Sequence, residues 1–125
     1  MTKILLAEDE GFIASLYKLE LERHSVEVKI VGNGKEALAA LEEDVFDILL
    51  MDLIMPDMDG FELLKNIKEK KIILPVIVLT NLSQNVDQQK CAEYGVKDYL
   101  VKADIDAPEV WNRVQKVLQL PPATT

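Results

Sequence analysis

The sequence predicts an α/β domain: a single doubly wound, five-stranded parallel sheet with five helices covering its two faces. Three observations predict it. Ile48-Leu49-Leu50-Met51 and Pro75-Val76-Ile77-Val78-Leu79-Thr80 are short continuous apolar runs bounded by turn residues, the pattern of strands buried on both faces. Strand-like segments alternate strictly with segments of helical periodicity, which calls for parallel strands joined by right-handed crossovers. The length, 125 residues, makes one domain with a self-sufficient core.

Taken in order, Lys3-Ile4-Leu5-Leu6-Ala7 is a first strand that runs into Glu8-Asp9-Glu10. The helix after it places Ile13, Leu16, Tyr17 and Leu21 on one face, with His24 near its end, solvent-facing and without a metal-ligand partner. Val26-Glu27-Val28-Lys29-Ile30 alternates, as a strand with one wetter face does, and belongs at an edge. Asn33-Gly34 turns the chain into a short helix carrying Ala37, Leu38 and Leu41. After the central strand at Ile48, Asp59 caps a third helix whose inner face holds Leu63, Leu64 and Ile67. The strand ending in Thr80 leads through a polar loop, 81–85, to a weaker helix over Val86 to Tyr94, and Gly95 suits its left-handed exit. Asp98-Tyr99-Leu100-Val101-Lys102 is the fifth strand. Asp106-Ala107-Pro108-Glu109 has the form of a capping box with proline in the first turn, opening a last helix with Val110, Val114, Val117 and Leu118 inward. The domain is expected over residues 1–120, with 121–125 a flexible tail or linker stub.

Composition excludes several function classes. Hydrophobic residues at 49% and charged residues at 29% are those of a soluble globular protein. No apolar run approaches the length of a membrane span, and Met1-Thr2-Lys3-Ile4 is no secretory signal. Cys91 stands alone, so no internal disulfide forms; it fits a reducing cytoplasm and, within a helix, a quiet thiol. The net charge of -8, from 22 acids against 14 bases, argues against direct nucleic-acid binding, and Lys68-Glu69-Lys70-Lys71 reads as a solvated helix end.

In a parallel sheet the carboxyl ends of the strands share one edge, where ligands bind. On that edge lie Glu8 and Asp9 after the first strand, Asp52 after the third, Thr80 after the fourth and Lys102 after the fifth. Carboxylates brought together repel unless a cation joins them, and oxygen ligands without His or Cys select Mg²⁺ or Mn²⁺. A lysine and a hydroxyl opposite them complete a pocket for an anion, most naturally a phosphoryl group.

With the acidic pair Glu8-Asp9, the Asp52-x-x-Met55-Pro56-x-x-x-Gly60 loop, Thr80 and Tyr99-x-x-Lys102, the chain resembles a receiver domain of a bacterial two-component response regulator, similar to the chemotaxis regulators, over Lys3 to Leu118. The resemblance implies the flavodoxin-like strand order 2-1-3-4-5, an order shared with a chemotaxis receiver. It implies a cytoplasmic signalling switch, not an enzyme, that assists its own phosphorylation and dephosphorylation. Asp52 is then the phosphoacceptor for a sensor histidine kinase or phosphotransfer protein. Asp9, Asp52 and the backbone carbonyl of Ile54 bind Mg²⁺ directly, and Glu8 helps through water. Lys102 pairs with Asp52 and then with the phosphoryl oxygens, Thr80 swings in to the phosphoryl group, and Tyr99 turns from exposed to buried behind it. The output face is the fourth helix, fifth strand and fifth helix, which meets an unknown output protein or effector domain; the resemblance also admits a phosphorylation-dependent dimer.

Glu8, Asn81 and Ala103 depart from the family's commonest pattern, where Asp, a smaller residue and proline stand. None removes a required functional group. A trans Lys102–Ala103 bond is expected, since a cis bond before a non-proline residue costs about 3 kcal/mol. Three alternatives define the contrast. A pseudo-receiver used only for protein interaction would lack some of the acids, the hydroxyl or the lysine. An aspartate-nucleophile phosphatase wants a second Asp two residues past the first, where this chain has Ile54. A flavodoxin wants a hydroxyl- and glycine-rich phosphate loop, where Ala7-Glu8-Asp9-Glu10 would repel phosphate.

Overall fold

In the computed structural model, which describes residues 1–121, the elements run β1 (Thr2–Ala7), α1 (Gly11–Glu22), β2 (Val26–Val31), α2 (Gly34–Glu43), β3 (Ile48–Met51), α3 (Gly60–Glu69), β4 (Val76–Thr80), α4 (Asn85–Glu93), β5 (Asp98–Val101) and α5 (Ala107–Leu118). The five strands form one parallel sheet in the order β2-β1-β3-β4-β5. The alternating strand β2 lies at an edge, with Glu27 and Lys29 exposed, while β1, β3 and β4 lie inside. Residues 122–125 of the expected tail fall outside the described residues.

Strand alternation divides the core in two. Leu5, Leu49, Met51, Val76 and Val78 face α2, α3 and α4, whereas Ile4, Leu6, Ile48, Leu50, Ile77 and Leu79 face α1 and α5. Each such side chain contributes roughly 1.5–3 kcal/mol by leaving water, so a one-residue slip of a central strand would reverse two packed faces at once. Side-chain caps set the helix starts: Asn33 accepts from the Glu36 amide at 2.8 Å, Asp59 from Glu62 at 2.9 Å and Asp106 from Glu109 at 3.0 Å. The reciprocal half of the expected capping box at Asp106 is replaced, because the Glu109 carboxylate accepts from Arg113 and Asn112. Gly95, at φ 75°, follows α4 as expected.

The structure corrects the expected helix faces at several points. On α1, Leu16 is exposed and Ala14 is buried with Tyr17 and Leu21; the small side chain faces the sheet where Leu would hold the helix away. His24 is half-buried, not solvent-facing: its ring stacks on Trp111 at 4.2 Å and 4°, and Nε2 lies 3.2 Å from a Glu20 carboxylate oxygen. Trp111, absent from the expected inner face of α5, is buried there with Val110 and Val114, while Val117 and Leu118 are half-buried. The fourth helix starts one residue early and buries Cys91 alone. Lys102 opens a short 3-10 turn instead of ending β5, and no peptide bond among the described residues is cis, Lys102–Ala103 included.

Candidate functional site

The central strands fix the acids before any side chain is considered. Ala7 and Met51 are paired in register, and the ladder runs one residue further through the Asp52 amide, which donates to the Ala7 carbonyl at 3.1 Å. The Glu8 amide likewise donates to the Val31 carbonyl at 3.0 Å. Glu8 and Asp52 therefore emerge side by side at the carboxyl edge, 3% and 7% exposed, with Asp9 exposed beside them. Carboxylate oxygens of Glu8, Asp9 and Asp52 all lie within 4.8 Å of one another.

Lys102 reaches this cluster from beyond β5. Its Nζ donates to Asp52 Oδ2 at 2.7 Å and also to Glu8 Oε1, so one cation bridges two buried carboxylates. Burial pushes the Glu8 pKa up, against the Lys102 hydrogen bond and the Glu10 amide, which donates to Glu8 Oε2 at 3.1 Å. For Lys102, burial acts to lower the pKa, but the bonds to Asp52 and Glu8 outweigh it and the net shift is upward. One lysine faces three acids, and Asp9 has no ion-pair partner among the described residues. That excess of negative charge on hard oxygen donors fits Mg²⁺ or Mn²⁺, and Glu8, Asp9 and Asp52 are the side chains that could hold it. Ile54 follows at once in the loop; its amide donates to Asp52 Oδ1 at 3.1 Å and its side chain is exposed.

The remaining expected residues reach the same edge with different engagements. Thr80 is fully buried, and its hydroxyl accepts from the Leu82 amide at 3.4 Å instead of meeting the acids. Tyr99, expected to be exposed before phosphorylation, is half-buried, and its hydroxyl donates to the Leu82 carbonyl at 2.6 Å. Burial pushes its pKa up to about 12. Leu82 thus ties the end of β4 to β5 through its own backbone.

The loop after Asp52 is held by close backbone approach. A Cβ on Gly60 would lie 2.6 Å from the Asp52 carbonyl oxygen, and one on Gly34 would lie 2.2 Å from the Met58 carbonyl oxygen. Only glycine lets α3 and α2 start so near the loop. Between them Asp57 stands at φ 67°, and the Met58 amide turns back to the Pro56 carbonyl at 2.7 Å.

Two features of the site arise only on folding. Lys102 holds Glu8 as well as Asp52, which no spacing announces. Tyr17, assigned only to the core, also lines an open cleft of about 370 Å³ beside Lys102, together with Ile13, Asn81 and Ile105.

The family model for the response regulator receiver domain matches residues 4–115. The response regulator ArlR of Staphylococcus saprophyticus is 34% identical over 122 residues, covering 98% of this chain and 54% of ArlR. The chain spans about half the length of the curated relatives it matches. Among solved structures, the receiver domain of the Francisella response regulator 1452 is 30% identical with TM-score 0.88, covering 95% of this chain and 98% of that one. The receiver domain of the Pseudomonas aeruginosa sensor histidine kinase PA1611, solved with a magnesium ion coordinated in its active-site cleft, is 27% identical with TM-score 0.84, covering 94% and 98%. No helix among the described residues is long and apolar enough to cross a membrane. The chain belongs to the receiver domains of bacterial two-component response regulators, the phosphorylation-activated signalling domains.

Proposed function

We propose that Asp52 is the phosphoacceptor of this domain and that its donor is a phosphohistidine on a sensor kinase or phosphotransfer protein. The observation that carries this reading is the Lys102 ammonium bridging Asp52 and Glu8, beside Asp9, which has no ion-pair partner among the described residues, at the carboxyl edge of the sheet. A carboxylate oxygen of Asp52 forms the new bond to phosphorus as the P–N bond breaks, and the imidazole leaves with the electron pair and takes up a proton. Asp9, Asp52 and the Ile54 carbonyl would hold Mg²⁺ directly, with Glu8 helping through water, and the ion would screen the carboxylates from the incoming phosphoryl oxygens. Lys102 then exchanges a carboxylate partner for a phosphoryl oxygen without leaving its place. Beside it, the cleft between Ile13 and Ile105 gives the donor protein an apolar foothold next to the nucleophile.

The signal leaves through Leu82. Thr80 releases the Leu82 amide to meet the phosphoryl group, and Tyr99, bonded to the Leu82 carbonyl, moves with the loop. The output face is α4, β5 and α5, where α4 buries only Cys91 and is the helix least held by the core. An output protein or effector domain would read this face, and a dimer formed on phosphorylation would use it too.

The test is mass spectrometry after incubation with acetyl phosphate and Mg²⁺. Wild type gains one acid-stable, base-labile phosphoryl group, and Asp52→Asn gains none. Equal uptake by Asp52→Asn overturns the assignment; no uptake by either protein favours a pseudo-receiver.

A further inference from the structure

The end of the sheet opposite the acids carries an open trough of about 700 Å³, between the end of α3, the start of β4 and the end of α4. Its lining is largely aliphatic: Ile72 and Leu74 are half-buried, and Ile73 rises from its edge 92% exposed. Lysines stand on both sides, Lys68 and Lys71 from the end of α3 and Lys97 from the turn before β5, and among the described residues no carboxylate lines it. The Lys68 ammonium lies 5.7 Å from the centroid of the Tyr94 ring, so the two walls are within reach of one side chain. Among the described residues none of these three lysines is in an ion pair, so each is free to meet a carboxylate brought to the trough. Lys71 also sits at φ 57°, with the Ile72 amide bonded back to the Ile67 carbonyl at 3.0 Å. Helix ends of that form favour glycine, so a cation is kept over the trough at a conformational cost.

We propose that this trough docks an acidic segment of a partner protein, one whose carboxylates are interleaved with aliphatic or aromatic side chains. Charge complementarity selects that chemistry: the apolar lining takes the side chains, and lysines on two walls take several carboxylates. A fatty acid brings one carboxylate and would leave two lysines unanswered. Nucleic acid and anionic membranes present dense negative charge over a wide front, which the remainder of a chain of net charge -8 repels. The site lies at the far edge from Asp52, so a partner seated here leaves the carboxyl edge open to a phosphodonor.

The probe is a short fluorescein-labelled peptide in which Glu and Asp alternate with Leu and Phe, followed by anisotropy against the full chain. Saturable binding is expected, weakening with salt and falling about tenfold for both Lys68→Ala/Lys97→Ala and Ile73→Ser. Amide shifts in ¹⁵N spectra should centre on Ile72, Ile73 and Lys97, and matching circular dichroism melts will show that the variants fold. No saturable binding overturns the proposal. So do equal binding by the variants, equal binding of a peptide with Ser in place of Leu and Phe, or displacement by laurate that itself binds more tightly.

Discussion

The two ends of the sheet are opposites built from the same topology. At the carboxyl end, Glu8, Asp9 and Asp52 converge and Lys102 is locked between two of them. At the amino end of β4, three lysines stand around an aliphatic trough that no acid among the described residues lines. The first end holds an excess of negative charge that a small cation would offset; the second has an excess of the other sign spread over apolar surface. Burial makes the difference in strength, because Lys102 and its partners are nearly out of solvent while Lys68, Lys71 and Lys97 are exposed. Charge changes should therefore be costly at one end and nearly free for folding at the other.

The largest effect should come from Lys102→Ala, which leaves Glu8 and Asp52 buried without their shared cation. Breaking such a pair costs on the order of 3 kcal/mol, read by urea unfolding at neutral pH without Mg²⁺. Mg²⁺ should recover much of it by binding the folded state alone. The pH dependence has a definite sign. The Lys102 pKa is raised, so its contribution is full below the ordinary lysine value of 10.5 and is lost as pH rises through the folded value. Cys91, pushed up to about 11, and Tyr99, pushed up to about 12, keep their protons longer when folded, so they too make stability fall at alkaline pH. The variant should show a shallower alkaline decline than wild type. Its deficit should shrink toward acid pH, because Glu8, with its pKa already raised by burial, takes up a proton and ceases to need a partner. A Lys102→Ala deficit that ignores both Mg²⁺ and acid would erase the contrast between the two ends.

The two ends also differ in how far the sequence reveals them. Strand alternation and the common edge of a parallel sheet place Glu8, Asp52, Thr80 and Lys102 from sequence alone, because a residue just past a strand has little choice of position. The bridge from Lys102 to Glu8 was not legible, since a long flexible side chain chooses its partner only once the strands are assembled. Nor was the half-buried state of Tyr99, which depends on where the Leu82 carbonyl comes to rest. The trough is harder still: the run Lys68-Glu69-Lys70-Lys71 reads as a solvated helix end, and Lys97 and Tyr94 meet it only through folding. On the opposite face, apolar residues at 12, 13, 16, 17, 19 and 21 allow overlapping helix faces, and packing chose the one with Ala14 inward.

A second contrast concerns water at the carboxyl end. Ile54 is 57% exposed and Leu82 half-buried, and neither side chain can accept a hydrogen bond from water approaching a phosphoryl group on Asp52. Wild type should lose its phosphoryl group slowly. Ile54→Asn and Leu82→Glu each supply a positioning contact worth roughly 1–2 kcal/mol, about tenfold in rate. After donor removal, decay of the phosphorylated mass should quicken by that factor in either variant. Fast decay in wild type, or no change in both variants, would leave the two side chains as loop packing only.

The smallest effect belongs to the amino end, where two terms of opposite sign meet on Lys71. Its left-handed backbone at φ 57° is strained for any residue with a Cβ, by about 1 kcal/mol relative to glycine. Its charge lies just past the end of α3, where a cation gains roughly 0.3–0.5 kcal/mol from the helix dipole. Lys71→Gly removes both, so it should stabilise the fold by about 0.5 kcal/mol. Lys71→Ala removes only the charge and keeps the strain, so it should destabilise by a similar few tenths. The gap of about 1 kcal/mol between the two variants isolates the backbone term, and thermal melts at low and high salt separate the charge. Neither change should alter phosphoryl uptake at the far edge. If Gly and Ala variants melt together, Lys71 is not strained; if either impairs uptake, the ends of the sheet are coupled and the contrast between them fails.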